Sequence, residues 1–65
     1  MAHPFAPLGS VYLVTNLNNH KQVRATVTDR GPFVGGRCAD LSKAAFRAIS
    51  KLSVGVVPVR IVRVQ

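Results

Sequence analysis

Cys38 is the only cysteine of this 65-residue chain, so no internal disulfide can staple the fold. A metal staple is not encoded either, because His3, His20 and Cys38 are scattered singly, without the paired spacing of a zinc site. No metal and no other cofactor is therefore expected. A domain of this size buries only about 60% of the surface its unfolded chain exposes. Stability has to come from packing, or from a second chain. There is room for one domain over residues 1–65, with no linker and no internal repeat.

An apolar content of 48% argues for a folded domain and against a disordered tail. No run of about eighteen apolar residues occurs, so no membrane-spanning helix is expected. The opening Met1-Ala2-His3-Pro4-Phe5 lacks a basic segment followed by an apolar stretch, so it does not read as a signal peptide. If the natural protein is exported, its signal has been removed or lies outside this sequence.

Nine Lys and Arg against two Asp give a net charge of +7, a field that attracts polyanions: nucleic acid, anionic membrane or acidic wall polymer. Lys43, Arg47 and Lys51 recur every four residues on an expected helix and form a cationic stripe. Such a stripe is either a solvated helix face or a docking strip for a polyanion.

The periodicity gives a mainly β chain with one short helix, in the order β, β, short β, α, β. Met1 to Gly9, with Pro4, Pro7 and Gly9, reads as an irregular lead-in. Val11 to Thr15 is β-branched and apolar, a strand. The turn Asn16 to His20 is rich in Asn, which tolerates left-handed backbone. From Gln22 to Thr28 the chain alternates, with Val23, Ala25 and Val27 on one side. Those two strands are expected to pair as a hairpin. A short strand through Arg37-Cys38-Ala39 is expected next, followed by a helix from Lys43 to Ser50 capped by Ser42. Leu41, Ala45, Phe46, Ile49 and Leu52 would form its inward side. Val57 to Val64 would close the fold, with Pro58 near that strand's start or on an edge.

Any carboxylate chemistry falls to Asp29 or Asp40. Asp29 ends a strand where a tight turn begins, a rim position suited to meeting substrate. An Asp there also commonly accepts hydrogen bonds from its own turn. Asp40, two residues before the capping Ser42, can equally serve the start of the helix. Cys38 reads as a small core residue rather than a reactive thiol. On its own, His3 reads as a surface histidine. Spacing alone leaves the function open.

Together the motifs say more. Ala2-His3, Pro7-Leu8-Gly9 and Val11-Tyr12-Leu13-Val14-Thr15-Asn16-Leu17 resemble the opening segment of RlpA-like double-psi β-barrel domains. Val27-Thr28-Asp29-Arg30-Gly31-Pro32-Phe33 is similar to their "V.DRGPF" signature, and Asp40-Leu41-Ser42-Lys43-Ala44-Ala45 to their "DLS.AA" helix start. Gly55, Pro58, Val59, Arg60 and Ile61 are similar to the closing strand. Order and spacing hold through nearly the whole chain. The stretch from Asp40 to Val59 also resembles the first domain of expansins and barwin-like proteins.

The resemblance implies a bacterial, periplasmic or cell-envelope domain that acts on peptidoglycan as a lytic transglycosylase. The alternative within the same fold is a glycan-binding module of expansin type that does not cut. Nucleic-acid binding ranks last, since no helix-turn-helix or RNA-binding motif is present. Carried across by position, Asp29 falls on the catalytic aspartate and His3 on the histidine of the same site. Asp40 falls on an aspartate of the functional cleft, and Arg30 and Phe33 of the signature are expected to meet substrate. The family's first strand and a glutamate-bearing stretch, which precede the histidine, have no counterpart here. An incomplete barrel is therefore expected, closed by strand exchange, by a symmetric dimer, by more of a longer parent protein, or locally by Met1 to Ser10.

Overall fold

The computed structural model describes residues 1–32 and 39–65. A three-stranded antiparallel sheet forms its centre: β1 (Val11–Asn16), β2 (Gln22–Thr26) and β3 (Val59–Arg63), in the order β2-β1-β3. The helix α1 (Lys43–Ile49) packs on β2, and a short 3₁₀ turn, Leu52–Val54, follows it. Among the described residues, no helix is long and apolar enough to cross a membrane.

The hairpin forms as its alternation dictates. Val14 pairs with Val23 on one side and Ile61 on the other, and Tyr12 pairs with Ala25 and Arg63. Paired residues share a face, so one side of the sheet gathers Val14, Val23, Ala25 and Ile61. Ile49 of the helix, fully buried, closes on Val14 and Ala25, with Met1, Leu41 and Val59 packed around them. The connecting turn is built from asparagines: the Asn16 Oδ1 accepts from the Asn18 N–H at 2.9 Å, and the Asn19 Oδ1 from the Lys21 N–H at 2.9 Å. His20 takes the left-handed position, at φ 63°.

Ser42 caps α1 as expected, its Oγ accepting from the Ala45 N–H at 3.2 Å. The other helix end is sealed from the hairpin turn. Asn16 and Asn19 both donate their side-chain amides to the Ile49 carbonyl, at 2.8 and 3.0 Å. Asn16 is almost wholly buried, so these bonds tie the helix to the sheet at a point shielded from water.

Three expectations need adjustment. The short strand at Arg37-Cys38-Ala39 falls mostly outside the described residues, and Ala39 itself is not in a strand, so the described order is β, β, α, β. Leu52 does not join the inward helix face: Ser50 leaves the helix with extended backbone, and Leu52 lies 41% exposed. The last strand is shorter than Val57 to Val64 and starts directly after Pro58, which has no N–H to give a ladder.

The lead-in is not irregular throughout. Met1–His3 lies beside the end of β2, with Thr28 N–H donating to the Met1 carbonyl at 3.0 Å. The Met1 amino group reaches the Thr26 carbonyl at 2.9 Å. Further along, Gly9 and Ser10 exchange backbone bonds with Val27 at 2.8 Å each. The segment thus extends the hydrogen-bonded surface past the end of β2.

Candidate functional site

The backbone brings both acids to one place through Ala2. Ala2 bridges Asp29 in parallel and Asp40 in antiparallel fashion, so three chain segments lie side by side. The Ala2 N–H donates to the Asp40 carbonyl at 2.8 Å, the Asp40 N–H returns a bond at 3.0 Å, and the His3 N–H donates to the Asp29 carbonyl at 3.1 Å. Neighbouring strands stand about 4.8 Å apart, which puts the two aspartate Cα atoms about 10 Å from each other. Asp29 is exposed and Asp40 half-buried. The Asp29 Oδ2 accepts from the Thr28 hydroxyl at 3.1 Å.

His3, the next residue, is held by its own loop. Its Nδ1 accepts from the Phe5 and Ala6 N–H groups, at 3.0 and 2.9 Å. A ring nitrogen that accepts two hydrogen bonds carries no proton, so in the neutral ring the proton sits on Nε2. The ring stacks on Tyr12, with centroids 5.8 Å apart and planes 10° apart, and meets Phe5 edge-on at 6.4 Å. Among the described residues no hydrogen bond joins the His3 ring to the Asp29 carboxyl. Nor do three His, Cys, Asp or Glu side chains gather among them where a metal ion could bind.

Arg30 directs its guanidinium to that loop. Its Nη1 donates to the Ala6 carbonyl at 2.5 Å and the His3 carbonyl at 3.3 Å. Both contacts shape the turn that presents His3. Gly31, at φ 123°, then turns the chain away through a conformation that suits a residue without a Cβ. Phe33, also expected at the site, lies outside the described residues.

Beside Asp40 opens a groove of about 810 Å³, between α1 and the approach to β3. Asp40 and Lys43 contribute charge to it, and Leu41, Phe46, Val57 and Val59 an apolar wall. Neither Asp29 nor His3 lines it. The site thus has two parts: an exposed acid next to a fixed histidine, and a groove whose rim carries the other acid. Sequence reasoning missed Ala2 and Tyr12, the residues that bring the pieces together. Tyr12 shares the β1 face of Val14 and Asn16, but no periodicity shows that His3 folds back onto it.

A family model described as "Lytic transglycolase" matches residues 1–61. Among curated relatives, an endolytic peptidoglycan transglycosylase RlpA of Pasteurella multocida is 50% identical over 64 residues, covering 98% of this chain and 22% of that protein. The protein of the same name from Campylobacter jejuni is 48% identical over 60 residues, covering 92% of the chain and 22% of the relative. The one from Helicobacter pylori is 39% identical over 61 residues, covering 94% and 19%. The chain spans about a fifth of the length of the curated relatives it matches.

Proposed function

The chain belongs to the lytic transglycolase family of RlpA-like double-psi β-barrel domains, and on that premise we propose that it engages peptidoglycan glycan strands and cleaves them endolytically. The observation that carries this reading is the bridging of Ala2 to both Asp29 and Asp40, which sets the two acids and His3 at one end of the sheet. A cell-envelope location goes with the reading, after the proteins this chain is similar to.

In this mechanism Asp29 donates a proton to the glycosidic oxygen between the two sugars as the bond to C1 breaks. The resulting carboxylate then takes the proton of the 6-hydroxyl on the same muramyl residue. That oxygen attacks C1 and closes a 1,6-anhydro ring. Atoms balance without water, so one carboxyl serves both steps, unlike the two-carboxylate hydrolases. Asp29 is exposed, and a bound strand has to shed water from around it before the transfer.

His3 acts in this scheme through its Nε2–H, as a hydrogen-bond donor to a sugar oxygen, because Nδ1 is already occupied by two backbone donors. Arg30 is a positioning residue: its guanidinium holds the carbonyls of the turn that carries His3. Asp40, on the groove rim, offers an acceptor for sugar hydroxyls while Phe46 and Val57 face the less polar side of the ring.

The exposure of Asp29 favours one second reading, a module that holds glycan without cutting it. Asp29→Asn assayed on purified glycan strands separates the two. Loss of anhydro-muropeptide release, with retention on the strands, supports cleavage by Asp29. Release at the wild-type rate removes Asp29 from the role. A wild-type protein that is retained on the strands yet yields no anhydro ends selects the binding module.

A further inference from the structure

Phe5 stands 86% exposed, the most exposed of the large apolar side chains among the described residues. Scattered single apolar side chains are ordinary on a protein surface. What sets Phe5 apart is the stiffness of its mounting. Pro4 and Pro7 bracket the Phe5-Ala6 pair, and a proline ring fixes its own φ. The Phe5 and Ala6 N–H groups both donate to the His3 Nδ1, at 3.0 and 2.9 Å. Ala6 is buried, and its carbonyl accepts from the Arg30 guanidinium. The Phe5 ring meets the His3 ring edge-on, with centroids 6.4 Å and planes 72° apart. The backbone on both sides of Phe5 is thus tied down, and its ring is set against the histidine while most of its surface faces water.

A pyranose with equatorial hydroxyls turns only C–H bonds toward its two faces. Their slight positive charge suits the negative face of an aromatic ring, and contact removes apolar surface of both partners from water. The neighbouring His3 offers its Nε2–H to a sugar oxygen, so one turn presents a flat apolar surface beside a polar donor. An aliphatic chain would leave that donor unpaired. The His3 N–H also bonds to the Asp29 carbonyl at 3.1 Å, which sets this turn next to the segment that carries the acid.

We propose that Phe5 is the stacking surface for an N-acetylglucosamine ring adjoining the muramyl ring that is cleaved. The proposal rests on the glycan reading above. The muramyl ring has to invert its chair before O6 can reach C1, and it carries a lactyl ether; both fit a flat support poorly. Its neighbour carries no such ether and keeps one chair throughout. A contact that is the same before and during bond breaking lowers KM and leaves kcat alone.

The test uses a tetrasaccharide of alternating N-acetylglucosamine and N-acetylmuramic acid. Cleavage kinetics are measured in the otherwise wild-type chain, and Kd and proton NMR in the Asp29→Asn background, where the probe stays whole. Phe5→Ala is expected to raise KM and Kd roughly threefold to tenfold, the worth of one aromatic contact, with kcat unchanged. Phe5→Leu, apolar but without a π face, shows the same loss, and Phe5→Tyr restores the wild-type values. Urea midpoints and the His3 ring-nitrogen signals stay as in wild type in all three, since the ring is exposed and the Phe5 N–H remains. On binding, the N-acetylglucosamine ring protons move upfield, and Phe5→Leu abolishes that movement. Wild-type KM and Kd in Phe5→Ala overturn the inference and leave the glycan reading standing. Full affinity in Phe5→Leu, or an upfield movement confined to muramyl protons, overturns it as well. A wild-type chain that neither binds nor cuts the tetrasaccharide removes the glycan reading and this inference with it.

Discussion

The His3 ring lies flat against the Tyr12 ring, 5.8 Å between centroids, while its Nδ1 faces two backbone N–H groups. Stacking fixes the ring's plane and the two hydrogen bonds fix its rotation. The outward nitrogen is thereby assigned as a donor before any substrate arrives.

Nitrogen NMR on the neutral His3 ring is expected to show a protonated Nε2 and a bare Nδ1. Tyr12→Phe keeps the platform and should leave this pattern and the glycan cleavage intact. Tyr12→Ala removes a stacking contact of about 1 kcal/mol. It should mix the tautomers and slow cleavage by about tenfold or more, as small losses of alignment do. An unchanged tautomer signal in Tyr12→Ala would show that the loop alone orients the ring.

Arg30→Ala is expected to loosen the turn from His3 to Ala6, whose carbonyls the guanidinium holds. Arg30 is exposed, so the loss in stability should stay near ~1 kcal/mol. Cleavage should fall by more than that loss explains, with the tautomer pattern of His3 blurred in parallel. Denaturant unfolding beside product release measures both. A variant with full activity would confine Arg30 to a dispensable contact.

Asn16→Ala should cost about 2 kcal/mol, because it strips a buried donor from the Ile49 carbonyl and an acceptor from the Asn18 N–H. Asn19→Ala, at an exposed position with a bond to the same carbonyl, should cost less than half as much. Urea midpoints give the ranking. The reverse order would mean that the burial of Asn16 does not set its worth.

His20→Gly is expected to stabilise the fold by about 0.5–1 kcal/mol, since His20 holds a left-handed backbone at φ 63° that glycine adopts without steric strain. The gain is smaller than the full steric cost because glycine also frees the unfolded chain. A lower melting temperature for His20→Gly would show that the His20 side chain contributes more than its backbone costs.

Much of the scaffold was legible in the sequence. Alternation at Val23 and Ala25, continued by Val27 just past the strand, marks the buried side of β2, and Ser42 before Lys43-Ala44-Ala45 marks the helix start, because both are repeating or local signals. Asp29 and Asp40 were legible as strand-end and helix-start acids. Their meeting was not: it runs through single-residue bridges to Ala2, and one residue makes no period. The exposure of Leu52 was hidden as well, because the apolar spacing continues past Ile49 while the backbone leaves the helix at Ser50. The grip of Arg30 on the His3 turn leaves no trace in spacing, since it crosses 24 residues to reach Ala6.

Ala2 works as a gauge. It stands between the two aspartates in the backbone pairing and adds only a methyl there. The acid on one side of it stands in the open and the acid on the other at the rim of the groove, so the two parts of the site meet through its backbone. The spacing of the acids at this end of the molecule is therefore set by the backbone of a residue whose own side chain carries no chemistry.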